Sequence, residues 1–223
     1  MADVQAGSTG RAVSAQGRRV ILRPVEREDF RSFFAWRSDL SEAHLWTTQG
    51  RRVVTFEQFV PDFERLLRDS IVFVAEEIAS GESIGFARAY NLNLVDDIFY
   101  AQMYVAPNYR MRAHVWELAA LFSDYLFQYY PLRKIYAEVV AHNEYASELY
   151  ARIGFKNEGR LRDYVWYDDR FWDWLLLALS REDWLPARER AAILLQVEDD
   201  VAKRPCHEGG GVAVDGRSGM TRA

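Results

Sequence analysis

The sequence predicts an α/β protein with a mixed central sheet of about seven strands, flanked by about four helices. Three observations predict it. β-rich runs and helical periodicities follow one another as strand, two helices, three strands, helix, strand, helix and two strands. The stripe Val115, Leu118, Ala119, Phe122, Tyr125, Leu126 and Tyr129 is regular enough to lie along a sheet. The last two strands read as a hairpin turning at Asp168-Asp169.

Each element has its own signal. Val20 to Pro24 is a β-branched run stopped by proline, and Asp29 to Trp36 places Phe30, Phe33 and Phe34 on one side of a helix. Thr55 caps a second helix, Phe56 to about Arg68, with Phe56, Phe59, Phe63 and Leu67 at helical spacing. Ile71 to Ile78 and Ser83 to Tyr90 form a hairpin around Ser80-Gly81-Glu82. Ile98 to Val105 is a strand ended by Ala106-Pro107, the long helix runs to about Tyr130, and Lys134 to Ala141 is a strand. Arg160 to Tyr167 and Phe171 to Leu179 make the closing hairpin. Residues 1–17, rich in Ala, Gly, Ser and Gln, are expected to be disordered. Residues 18–185 form the domain. Residues 186–223 add an amphipathic helix, Ala187 to Ala202, and a disordered Gly-rich tail.

Composition excludes several classes. A net charge of −5 gives no electrostatic case for a nucleic-acid partner. Cys206 is the single cysteine, so neither an intrachain disulfide framework nor a cysteine-rich zinc site is available, and no metal is expected. A reducing, cytoplasmic compartment follows. Met1 to Gln16 lack the apolar core of an export signal. Trp172 to Leu179, the densest apolar stretch, is too short to span a bilayer, so no membrane partner is expected.

The segment Asn143 to Phe155 reads as a short helix with two faces. At ~100° per residue, Ala146, Leu149 and Ile153 share an apolar stripe, while Asn143, Ser147 and Tyr150 fall within roughly 60° of one another on another. Asn143 suits the N-cap and Gly154 the left-handed C-terminal position. Asn, two residues, Ser, two residues, then Tyr, with Gly-Phe closing the helix, resembles the last helix of the GNAT acyltransferases, and the order of elements from Val20 to Trp184 is that of the same fold. The stretch from Glu158 through Asp163 and Asp173 to Trp184 is most similar to the branch acting on ribosomal-protein N-termini and on small amines. The resemblance implies transfer of an acetyl group from coenzyme A to a small-molecule or peptide amine, by direct transfer in a ternary complex. It also admits a non-catalytic binding or regulatory protein of this fold, or a donor such as a longer acyl-CoA or an acyl carrier protein.

For the donor, the resemblance implies a loop that cradles the pyrophosphate at a helix N-terminus. Here it is Arg110-Met111-Arg112-Ala113-His114-Val115. Ala113 stands where glycine is usual and Val115 where glycine or alanine is usual. An alanine forced to positive φ there costs ~1 kcal/mol, and Val115 is placed to crowd the phosphates. Met103 to Val105 is expected to pair with the pantetheine arm through its backbone.

Aminolysis of a thioester requires a neutral amine and a proton for the departing thiolate. A phenol of pKa ~10 suits the second task, which falls to Tyr150, with Ser147 and Asn143 as positioning groups. Deprotonating a lysine-type amine at pH 7 costs roughly 4–5 kcal/mol, and an N-terminal amine only about 1 kcal/mol. Relatives in this branch carry a strand glutamate at the place of Tyr100. The set Ile98, Tyr100, Gln102 and Tyr104, expected to face inward, holds no carboxylate, which leaves Asp96, Asp97, Glu138 and His44 as candidate bases. An acceptor that is already partly neutral is the alternative. The hairpin and the His44 loop flank the acceptor cleft in this fold, making His44, Trp46, Tyr100, Gln102, Tyr164 and Trp166 candidate acceptor contacts. The hairpin aromatics suit cross-strand packing, a homodimer interface or an apolar acceptor pocket.

Overall fold

The computed structural model describes residues 12–39, 53–110 and 113–189. The strands are β1 (Ala15–Gln16), β2 (Val20–Pro24), β3 (Ile71–Glu77), β4 (Ser83–Asn93), β5 (Ile98–Val105), β6 (Lys134–Val140), β7 (Lys156–Tyr167) and β8 (Arg170–Ser180). The helices are α1 (Phe30–Ser38), α2 (Phe56–Arg68), α3 (Ala113–Tyr129) and α4 (Glu144–Ile153), and residues 181–189 are also helical. The strands form one sheet in the order β1-β2-β3-β4-β5-β6-β8-β7. Its neighbours are antiparallel except β5 and β6, the parallel pair joined by the α3 crossover.

The strand beyond the expected seven is β1, inside the segment expected to be disordered. Ala15 and Gln16 pair with Leu22 and Ile21. The buried Glu117 carboxylate of α3 accepts from the Arg19 and Val20 amides at 2.9 and 3.4 Å, fixing the turn between β1 and β2. α1 starts at Phe30, after a 3-10 turn over Arg27–Asp29, because Asp29 is held elsewhere. Its carboxylate accepts two bonds from Arg23, at 2.7 and 2.8 Å, while Arg23 Nε donates to Glu76 at 2.7 Å. Arg23 is 2% exposed, so this paired cluster anchors β2, β3 and the entry to α1 in the interior.

Both sheet faces are covered. On one, α3 and α4 bury Phe99, Ala101, Val115, Leu118, Phe122 and Ile135, among others. On the other, Phe30, Phe33, Phe59 and Phe63 of α1 and α2 close over Val74, Phe86 and Tyr104. Of the expected inward set of β5, Tyr104 is buried under α1 and α2, and the other members are not. Phe99 and Ala101 are fully buried under α3, while Tyr100 and Gln102 point to the opposite face and stay half-buried. The α2 N-terminus is closed by a capping box, in which Gln58 N donates to Thr55 Oγ1 and Thr55 N to Gln58 Oε1. Among the described residues no helix is long and apolar enough to cross a membrane.

Candidate active site

β5 and β6 pair from Ile98↔Lys134 to Ala101↔Ala137 and share no further register, although β5 runs on to Val105 and β6 to Val140. The sheet therefore forks. Beyond the fork β5 remains paired with β4 through Met103↔Ala87 and Val105↔Gly85. Ala106 N donates to Ile84 O at 2.8 Å, so strand alternation turns the backbone groups of Met103 and Val105 away from β4, into the fork. Arg110 Nε donates to the Val105 carbonyl at 2.8 Å, which leaves Met103 as the inner part of that edge.

α4 begins just past the open end of β6. Asn143 Oδ1 accepts from Ala146 N at 3.1 Å, the expected N-cap, and Gly154 closes the helix at φ 110°. The cap occupies Asn143 Oδ1, so a donor contact at Asn143 falls to its amide nitrogen. Leu149, Tyr150 and Ile153 are buried in the α3-side core. Tyr150, on a helix face apart from the apolar stripe, is nonetheless only 7% exposed, edge-on to Phe155 at 4.8 Å between ring centroids. A helical wheel gives an angle, not what packs against it. Burial raises the Tyr150 pKa well above that of a free phenol, so the hydroxyl keeps its proton at physiological pH. Ser147 Oγ is buried with no hydrogen-bond partner, an unfilled donor one turn from Tyr150.

The loop between β5 and α3 is tied down from both sides of the fork. Tyr145 of α4 donates to the Arg110 carbonyl, bridging its two arms, and the Arg110 guanidinium lies 5.4 Å over the Tyr104 ring. Met111 and Arg112 lie outside the described residues. Ala113 is buried in helical conformation, without positive φ, so the expected alanine strain does not arise. Val115 is buried in the sheet core instead of facing a phosphate. His114 Nε2 lies 3.0 Å from Glu77 Oε1, while its buried Nδ1 has no partner. Ser80, then His114 and Tyr109, hold the Glu77 carboxyl below the usual carboxylate range.

On the α1/α2 side of the fork lies an aromatic row. Tyr100 contacts Tyr90 at 5.6 Å and Tyr136 at 5.3 Å between ring centroids. Tyr90 OH donates to Glu138 Oε2 at 2.7 Å, and Trp174 Nε1 donates to Glu138 Oε1 at 3.3 Å. Tyr164 packs 6.1 Å from Trp174. Trp166 is exposed and packs on Phe171 further along the hairpin. Gln102 is half-buried opposite Arg88. Of the candidate bases, Glu138 is the first β6 residue beyond the fork. Asp96 and Asp97 lie in the β4–β5 turn at the other end of β5, where Asp96 accepts from Asn93 Nδ2. His44 and Trp46 lie outside the described residues. Tyr90 was not singled out by sequence; its period-2 alternation with Arg88 was the available signal, and its partner is 48 positions away.

The forked mixed sheet, with a buried phenol and a hydroxyl without a partner on the helix beside the fork, is the setting in which the family of the chain is read. The chain belongs to the acetyltransferase (GNAT) domain family, whose model matches residues 22–176, and it is an acetyl-CoA-dependent N-acetyltransferase that acts on an amine. Spermidine N(1)-acetyltransferase of Escherichia coli K12 is 29% identical over 144 residues, 64% of this chain and 75% of the relative. The ribosomal protein uS5-alanine N-acetyltransferase of the same organism is 39% identical over 57 residues, 26% of this chain and 29% of that one. Spermidine N-acetyltransferase from Vibrio cholerae, solved in complex with CoA and spermine, superposes with a TM-score of 0.69 at 22% identity, covering 75% of this chain and 98% of that one.

Proposed function

We propose that the thioester sits in the β5/β6 fork, that a primary amine approaches it from the Tyr90–Tyr100–Tyr136 side, and that Tyr150 is the acid of a direct transfer in a ternary complex. The observation that carries this reading is the conjunction at the fork: a β5 edge at Met103 with no strand partner on the β6 side, and beside it a buried Tyr150 and a Ser147 hydroxyl with no partner. A backbone edge and a buried hydroxyl both need a polar partner, and the amides and carbonyls of a pantetheine arm supply one. Acetyl-CoA, as substrate, contributes the activated acyl group. The residues of the chain do the rest.

Met103 N–H is the group suited to polarise the thioester carbonyl. Tyr150, kept protonated by burial, is the group suited to donate a hydrogen bond and then its proton to the sulfur as negative charge develops there. The N-terminus of α3, the positive end of a 17-residue helix, is the seat for the phosphates, with Arg110 beside it. Relatives that act on spermidine and on a ribosomal-protein alanine support a primary amine as the acceptor, carried by a small molecule or a peptide.

The test is direct. Calorimetry should give micromolar binding of acetyl-CoA, and amines should release thiol. Tyr150→Phe should lower kcat by about 10²–10³-fold with donor binding nearly intact. No donor binding at millimolar ligand, or an unchanged kcat in the variant, overturns the assignment.

A further inference from the structure

Resting on that reading, we propose that Glu138 binds and deprotonates the acceptor ammonium, and that the aromatic row beside it selects a primary amine carried on one flat or apolar body. Glu138 is exposed, on the first β6 residue beyond the last β5–β6 pair. Its two oxygens accept from neutral groups, the Tyr90 phenol and the Trp174 indole. Those bonds aim the carboxylate without cancelling its charge. The other carboxylate bordering this face is already matched, since Glu158 accepts from Lys134 and from Tyr136 OH.

Among the described residues Glu138 is the carboxylate on this face with no cationic partner, which fits one ammonium. A polyamine carries two or more charges, and the second described carboxylate here, Glu158, is already taken by Lys134. Beside Glu138 the surface is ring after ring: Tyr90, Tyr100 and Tyr136 across three strands, then Trp174 and Tyr164. Such a surface attracts a cation near its ring faces and stacks a flat group. Among the described residues the charged and titratable groups around this row are Arg88, which lies over Tyr90, and Tyr90 itself from β4, Tyr100 from β5, Lys134 and Tyr136 on the strand of Glu138, and Glu158, which both of these contact, from β7. Tyr150 acts on Tyr90 from α4.

Glu138 takes one proton from the ammonium. The freed nitrogen bonds to the thioester carbonyl carbon as the carbon–sulfur bond breaks, and Tyr150 protonates the sulfur. The second amine proton leaves to solvent through Glu138, and Tyr150 is reprotonated from solvent. Amide, thiol and one net proton result.

The probes are phenethylamine and spermidine, each titrated into the protein carrying coenzyme A and followed by tryptophan fluorescence and heat. Thiol release is measured in parallel between about pH 6 and 10. Phenethylamine should bind more tightly than spermidine. Glu138→Gln should weaken phenethylamine binding tenfold or more and lower kcat/KM by about 10²-fold near neutrality. That deficit should close as pH approaches the amine pKa of ~10, while Glu138→Asp keeps most activity. A purely structural role would leave a deficit independent of pH. Equal amine binding by Glu138→Gln, or a pH-independent deficit, overturns the role of Glu138; a tenfold preference for spermidine overturns the acceptor class. Absence of thiol release with every amine overturns the transferase reading instead, and the binding titration still decides whether Glu138 holds the ammonium.

Discussion

The Tyr90 hydroxyl donates a 2.7 Å hydrogen bond to Glu138 Oε2, joining β4 to β6 over the intervening β5. Burial first, and then this bond, raise the Tyr90 pKa far above that of a free phenol. The phenol is therefore a fixed donor at any pH the protein meets. Tyr90→Phe keeps the ring packed on Tyr100 and removes only the hydroxyl. A hydrogen bond to a charged group is worth ~1.5 kcal/mol, so kcat/KM for the amine should fall about tenfold, with the donor dissociation constant unchanged. Steady-state kinetics with each substrate varied in turn checks this. A shift confined to the donor would place the Tyr90–Glu138 pair outside the acceptor path.

Ser147→Ala should separate stability from binding. The Oγ atom is buried without a partner, and an unsatisfied buried hydroxyl costs ~1–3 kcal/mol in the free protein. Removing it should leave the melting temperature unchanged or raise it by a few degrees. If that hydroxyl is filled by the donor, affinity for acetyl-CoA should fall about three- to tenfold in the same variant. Differential scanning calorimetry and ligand titration read the two effects independently. A drop in stability with unaltered donor affinity would show the hydroxyl to be structural.

The fold was legible wherever the signal is local. Asn143 and Gly154 mark both ends of α4 because capping acts over three residues, and Thr55 with Gln58 marks α2 in the same way. β1 was missed because its two residues hold no pattern, and its turn is fixed by Glu117, about a hundred positions along the chain. The site was half legible. Tyr150 and Ser147 share a helix face, so their spacing names them. Glu138 was one of four candidate bases, and only the register Ala101↔Ala137 makes it the first residue past the fork. Pairing register is a property of two strands, so neither strand's sequence carries it alone.

Alkaline pH should unfold the protein earlier than its carboxylates and arginines alone would suggest. Burial pushes Tyr125 up to about 12, and Tyr90 and Tyr150 higher still. These groups ionise near 10 in the unfolded chain. Above that pH the unfolded state holds fewer protons than the native state, so stability falls as pH rises. Below about pH 10 both states keep the phenolic protons, and these groups contribute no slope. Thermal melts should show a plateau to about pH 10 and a decline above it. Tyr150→Phe should flatten part of that decline, and phenolate absorbance should appear with unfolding, not before it.

Gly85 sets the shape of the donor edge. A Cβ built there would lie 2.1 Å from the Tyr104 carbonyl oxygen, a backbone atom of β5 that no rotamer change can move. Gly85→Ala must therefore displace β5 between Met103 and Val105, the stretch whose backbone faces the fork. Overpacking of this kind costs ~1–3 kcal/mol, and the displaced edge should weaken acetyl-CoA binding at least tenfold in the protein that remains folded. Gly159 is the control, because its added Cβ would meet the Leu176 side chain at ordinary contact distance, 3.5 Å to Cβ and 3.9 Å to Cδ2, on the β7–β8 side of the sheet. Gly159→Ala should leave donor binding unchanged. Equal donor affinity in both variants, measured on folded protein below the melting transition, would mean that the Met103 edge is not where the donor sits, and the search for that seat would then move to the α4 side of the fork.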